Sequence, residues 1–175
     1  MAVVALDILK GGSTNLRKAL YPGSFDPITK GHLDIIVRSH AIVDHLTVAV
    51  LENPRKQSAF TVGERLEMLK RCTEKYPGIE VDYFSGLLIE YVKRKGISIV
   101  IKGLRAISDF EFEFQMALVN RKLNPDVETL FMMTNSKYSY LSSSIVKEIA
   151  DFGGDISSLV PPEVHDLIVG KFARD

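Results

Sequence analysis

From Lys18 onward, short apolar and β-branched runs alternate with segments whose apolar positions recur at helical spacing, the pattern of a parallel sheet covered by helices. The first strand is expected over about residues 17–21. Pro22, Gly23, Asp26 and Pro27 interrupt it, and a helix follows from about residues 29–32, with Leu33, Ile36 and Ile42 in its buried stripe. Residues 45–51 form a second strand, with Leu46, Val48 and Val50 on one face and Ala49 and Leu51 on the other, as suits a strand buried on both sides. Asn53 and Pro54 end it. Thr61 and Glu64 spell a capping box that opens a helix carrying Leu66, Met68 and Leu69 to about Tyr76. A third strand at 79–84, a helix at 87–95 and an almost wholly β-branched fourth strand at 98–101 follow. Ser108 or Asp109 caps the next helix, which sets Phe110, Phe114 and Leu118 on one side and stops near Leu123, before Asn124 and Pro125. A fifth strand spans 129–133. Ser142, Ser143 and Ser144 cap a helix through Ala150, and Pro161 or Pro162 introduces a last one to about Lys171.

The expected fold class is therefore α/β, a doubly wound five-stranded parallel sheet with helices on both faces and right-handed crossovers. Residues 1–15 read as an N-terminal extension with no assigned role, added by cloning or by an early start codon. Residues 16–175 read as one domain. With 175 residues, 46% of them hydrophobic, the chain can bury a real core.

Charge changes the picture by exclusion. The 22 basic and 22 acidic side chains cancel, so no global field recruits nucleic acid or an anionic membrane, and an anion site has to be built locally. A lone cysteine, Cys72, precludes an internal disulfide and fits a reducing cytoplasm. Apolar stretches such as residues 46–51 fall far short of the roughly 20 residues of a membrane-spanning helix. No Cys/His cluster has metal-site spacing, so no protein-held metal is expected.

In a doubly wound sheet, ligands bind beyond the carboxyl ends of the strands. After the first strand, residues 21–32 combine a glycine and hydroxyls with His32 at a helix start, where backbone amides and the helix dipole favour phosphate. His32 can donate to a phosphate oxygen, and the helix start lowers its pKa, so a neutral donor is as plausible as a cation. A turn followed by a capped helix with an exposed histidine is the plainer alternative. After the second strand, Lys56 can neutralise a phosphate or simply be a solvated lysine. After the fourth, Lys102, Gly103, Leu104 and Arg105 set two cations beside a glycine, with pairing to Asp109, Glu111 or Glu113 as the competing role. After the fifth, the serine triplet serves capping or anion binding equally well. There is no nucleophile arrangement, no Walker lysine motif and no GxGxxG after a strand, which points to direct displacement by positioning and charge stabilisation.

Residues 18–173 resemble the bacterial phosphopantetheine adenylyltransferases of the nucleotidyltransferase superfamily. The resemblance rests on residues 21–32 with their Thr29-Lys30-Gly31-His32 signature, on residues 102–106 with Asp109-Phe110-Glu111, and on residues 142–148. It implies a Rossmann-like nucleotidyltransferase fold, with transfer of AMP from ATP to 4′-phosphopantetheine giving dephospho-coenzyme A and pyrophosphate. It further implies Mg2+ accompanying ATP, a homohexamer and inhibition by coenzyme A. By the same resemblance His32 stabilises the transition state, with Lys56 and Arg105 also catalytic. Ser24, Lys56, Leu88 and Lys102 would bind phosphopantetheine. Ser24, Phe25, His32, Gly103, Leu104, Arg105, Glu113, Tyr138, Ser139, Tyr140, Leu141, Ser142, Ser143 and Ser144 would bind ATP. Lys102 stands where some members carry arginine, Ser24 where others carry threonine, and Leu141 where others carry isoleucine. Two rivals remain: a superfamily member acting on nicotinate mononucleotide or glycerol phosphate, and a non-catalytic nucleotide sensor. The block from Lys102 to Glu113 argues against the first, and intact His32, Lys56 and Arg105 against the second.

Overall fold

A computed structural model describes residues 16–52, 57–105 and 107–173, with the side chains of 107–109 outside the description. The expectations for residues 1–15, for Lys56 and for the Ser108 or Asp109 cap therefore lie outside the described residues.

Five parallel strands, β1 (Lys18–Gly23), β2 (His45–Glu52), β3 (Ile79–Ser85), β4 (Ile99–Leu104) and β5 (Glu128–Met133), pair in the order β3-β2-β1-β4-β5. The helices are α1 (Lys30–His40), α2 (Val62–Thr73), α3 (Leu88–Lys95), α4 (Ile107–Leu123), α5 (Ser143–Asp151) and α6 (His165–Phe172). This is the doubly wound Rossmann-like architecture expected of the alternation.

Strand alternation sorts the core into two layers. Leu46, Val48 and Val50 of β2 face Ile35 and Ile36 of α1, Met68, Leu69 and Cys72 of α2, Val146 of α5 and Ile168 of α6. Ala49 and Leu51 face the other way, toward Ile89, Tyr91 and Val92 of α3. The β2 face assignment made from alternation holds residue by residue. That for α1 needs correction at one end, because the helix stops at His40 and leaves Ile42 in the following turn, 46% exposed.

The capping box at Thr61 and Glu64 forms as expected, with Glu64 N donating to Thr61 Oγ1 and Thr61 N to Glu64 Oε2. Helix α4 has the expected extent, and Phe110 and Phe114 stack on one side of it, with Phe110 also meeting Phe131 of β5 edge-on, although Phe110, Phe114 and Leu118 each remain exposed. Apolar and polar residues are mixed around its circumference, and Phe112, at 64%, is more exposed than any of those three. No helix among the described residues is long and apolar enough to cross a membrane.

Candidate active site

The strand order reverses at β1, since β2 and β3 extend to one side of it and β4 and β5 to the other. At the carboxyl ends of β1 and β4 opens a cleft lined by Tyr21, Thr29, Gly31, His32, Gly103, Arg105, Thr134 and Leu141.

The loop leaving β1 is tightly determined. Phe25 sits at φ 46°, a backbone region sparsely populated by side chains other than glycine. Its ring is nonetheless almost fully buried and meets Tyr21 and His32 edge-on, with centroids 5.5 and 5.2 Å away. Gly23 makes room for it, because a Cβ there would stand 2.9 Å from Phe25 Cζ. The Phe25 ring is thus core, and any contact it makes with a nucleotide falls to its main chain. Ser24 is exposed, and its carbonyl accepts from Arg65 Nη1 at 3.0 Å.

Thr29 caps α1 and forms a capping box with His32 in the third helical position. His32 N donates to Thr29 Oγ1 at 3.3 Å, while Thr29 N donates to His32 Nδ1 at 3.1 Å. A ring nitrogen that accepts a main-chain N–H carries no proton, so the neutral imidazole holds its proton on Nε2. Burial, reinforced by the Arg105 cation, lowers the His32 pKa from 6.5 to about 4. The direction matches the expectation from the helix start, but the principal cause is desolvation. His32 is a neutral Nε2–H donor at neutral pH.

Lys102, Gly103 and Leu104 are not a loop, contrary to the sequence reading. They are the last three residues of β4 and stay paired with Phe131, Met132 and Met133 of β5. Pairing continues because the ladder on β5 runs equally far, which the polar and glycine residues at 102 and 103 concealed. Strand alternation then separates their roles. Gly103 faces Tyr21 and Ile35, where an added Cβ would lie 3.2 Å from Tyr21 Oη and from Ile35 Cγ1. Lys102 points to the opposite face, and its Nζ lies 3.1 Å from Glu113 Oε2 of α4, the internal pairing weighed as a competing role. Arg105, just past the strand, donates from Nη1 to Leu141 O at 2.9 Å and so ties β4 to the segment before α5.

That segment begins with a single 3-10 turn at Ser136–Tyr138. Ser139 and Tyr140 are exposed, whereas Leu141 is buried. Of the serine triplet, Ser142 caps α5 by accepting from Ile145 N at 3.1 Å, and Ser143 Oγ donates to Pro27 O at 2.7 Å. Two of the three hydroxyls thus serve the fold. The amides at the first helical positions have no acceptor within the helix and remain suited to an anion.

The structure therefore gathers His32, Gly103, Arg105 and Leu141 around one cleft. It sets Lys102 with Glu113 on the α4 side of β4. Leu88, the first residue of α3 beyond β3, packs against the second core layer and is not among the cleft-lining residues. Arg65 and Thr134 were missed by sequence reasoning. Arg65 carried a signal: it precedes Met68, Leu69 and Cys72 by three, four and seven residues, and so shares their buried stripe. Thr134 carried none.

A reversed parallel sheet whose switch-point cleft offers a neutral histidine donor, an arginine and a helix N-terminus defines a nucleotidyltransferase, and residues 20–149 match the cytidylyltransferase-like family. The chain is 58% identical over 159 residues to a phosphopantetheine adenylyltransferase of Caldanaerobacter subterraneus subsp. tengcongensis, covering 91% of this chain and 99% of that one. It is 60% identical over 149 residues to one of Clostridium botulinum, with coverage of 85% and 91%. Against one of Alkaliphilus metalliredigens it is 59% identical over 156 residues, covering 89% and 99%. The chain belongs to the phosphopantetheine adenylyltransferase family.

Proposed function

We propose that this chain transfers AMP from ATP to 4′-phosphopantetheine, releasing dephospho-coenzyme A and pyrophosphate as a step of coenzyme A biosynthesis. Near-full-length identity to the three relatives supports the reaction. For the mechanism, the observation that carries the reading is the Thr29–His32 pairing, which leaves Nε2–H as the histidine's donor at a cleft shared with Arg105. A 4′-phosphate oxygen attacks the α-phosphorus, the bond from that phosphorus to the bridging oxygen breaks in line, and pyrophosphate leaves with the electron pair. His32 and Arg105 stabilise charge on the phosphoryl oxygens, which develops without any covalent enzyme intermediate.

ATP is held by main-chain groups of Ser24, Phe25, Gly103 and Leu104, by Glu113, and by the segment from Tyr138 to Ser144. Phosphopantetheine is held by Ser24, Lys56, Leu88 and Lys102. Mg2+ would accompany ATP as part of the substrate and would supply charge neutralisation at the phosphates. The described cleft offers the Arg105 cation and neutral donors, and Glu113 already faces Lys102, so the side chains present suit the phosphates better than the ion. The enzyme works in the cytoplasm as a homohexamer inhibited by its pathway's end product, coenzyme A. The uncovered apolar residues of α4 and of the edge strand β5, including Phe112, Leu118 and Met133, support assembly.

The test is pyrophosphate release from Mg-ATP with phosphopantetheine, nicotinate mononucleotide or glycerol phosphate as acceptor. Turnover with phosphopantetheine alone is expected. Turnover with nicotinate mononucleotide and none with phosphopantetheine overturns the assignment.

A further inference from the structure

The loop between β1 and α1 carries a buried carboxylate with no part in the displacement just described. Asp26 is 5% exposed and accepts three hydrogen bonds: from Phe60 N to Oδ1 at 2.9 Å, from Ala59 N to Oδ2 at 3.1 Å, and from Lys147 Nζ to Oδ2 at 2.7 Å. The donors belong to separate parts of the chain. Ala59 and Phe60 lie on the connection from β2 to α2, three and four residues after Lys56. Lys147 lies on α5, one turn beyond Ser143. Ser143 Oγ bonds to Pro27 O beside the same carboxylate, so α5 is fastened to the loop at two points.

Burial alone would raise the Asp26 pKa, but the Lys147 ammonium and the two amides outweigh it and lower the value. The carboxylate is ionised at neutral pH and meets an ammonium that is itself partly exposed. The three segments joined here are the ones that supply Ser24 and His32, Lys56, and the serine helix. Nothing else among the described contacts joins all three at one atom group.

We propose that Asp26 and Lys147 form a latch that fixes the spacing between the β1 loop, the β2–α2 connection and α5, and thereby sets the phosphate-binding groups in register for transfer. The idea rests on the function proposed above. Both are positioning residues that act through the groups they hold. Displacing a reacting group by about 1 Å costs on the order of a hundredfold in rate. An asparagine at 26 keeps one acceptor for Phe60 N, but turns an N–H toward Ala59 N and loses the ammonium.

The experiment compares Asp26→Asn, Lys147→Met, Lys147→Arg and the double variant Asp26→Asn/Lys147→Met. It measures pyrophosphate release, ATP binding by calorimetry and thermal unfolding. Asp26→Asn is expected to lower kcat about 10- to 100-fold, by the positioning argument. Lys147→Met should lower it about tenfold, and Lys147→Arg should recover to within about threefold of the parent, as the charge and reach are kept. The double variant should be no slower than Asp26→Asn alone, because the two act as one unit. Lys147 can be exchanged without opening the core, so its two variants decide the question even if Asp26→Asn fails to fold. Unchanged kcat in Lys147→Met, equal loss in Lys147→Arg and Lys147→Met, or losses that multiply in the double variant overturn the latch. A parent inactive on phosphopantetheine would instead overturn the functional reading. ATP affinity then still tests the latch, with weakening expected in Lys147→Met and recovery in Lys147→Arg, and equal affinities overturning it.

Discussion

The neutral Nε2–H of His32 can be isolated from the structural work the same residue does. His32→Ala removes both the donor and one half of the α1 capping box. His32→Gln keeps an acceptor able to reach back to Thr29 N, the usual partner choice at that helical position, while its amide N–H, on a flexible chain in place of the ring, is no longer held where the imidazole Nε2–H was. Losing one preorganised donor at a developing phosphoryl charge costs roughly 2.7–4 kcal/mol, or about 100- to 1000-fold in kcat. The capping box is worth about 1 kcal/mol of stability, which the alanine variant should lose and the glutamine variant should largely keep. Kinetics of pyrophosphate release at saturating substrates, ATP calorimetry and denaturant unfolding separate these terms. Both variants should turn over slowly while binding ATP nearly normally. With the His32 pKa at about 4, the parent's pH–rate curve should show no step from this residue between pH 6 and 8. The reasoning fails if the alanine variant keeps kcat within about threefold of the parent, well short of the loss expected of a preorganised donor. It also fails if the parent shows an acid limb near 6.5 that the glutamine variant abolishes.

Acid should destabilise the fold in two stages. His32 has its folded pKa depressed from 6.5 to about 4, so the unfolded chain takes up a proton first and stability falls as pH drops from 6.5 to 4. Asp44, held at about 2 chiefly by its Arg17 hydrogen bond, and Glu64, held at about 2 chiefly by Lys171, contribute stability above their ordinary values near 4 that is lost as pH falls toward 2. Both pairs are solvent-exposed and screened, so the second stage should weaken in high salt. Thermal unfolding from pH 7 to 2 at two salt concentrations reads both stages, and a flat profile from 6.5 to 4 contradicts the first. Arg105→Lys exchanges a fork that reaches Leu141 O, and in the proposed reaction a phosphate as well, for a point charge, and kcat/KM should drop about 10- to 100-fold, the worth of a charged hydrogen bond. Phe112→Glu places a charge among the exposed apolar residues of α4 and should shift the proposed homohexamer to smaller species in light scattering, whereas an unchanged mass contradicts an interface at this helix.

Much of this molecule is legible in one dimension because the information is local. Alternation along β2 assigns each residue to its layer, and Thr61 with Glu64 marks a helix start by hydrogen bonds that span three residues. The Thr29–His32 unit is equally local, and so was readable as a helix start with a donor at its mouth. The errors arose where distant segments decide. Lys102–Leu104 stay in the sheet because β5 continues beside them.

The alternation of elements, the phosphate-suited residue types after the strands and the family signature are properties of the chain read in order, since each depends on neighbours a few residues apart. Which strand lies beside which is not, and only the order β3-β2-β1-β4-β5 puts the cleft between β1 and β4. The same assembly turned Lys102 away from Gly103, buried the Phe25 ring, desolvated His32 enough to fix it as a neutral donor, and brought Lys147 to Asp26 across 121 residues of sequence. Dielectric environment and through-space contact arise from packing, so they exist only once the sheet has closed around the site.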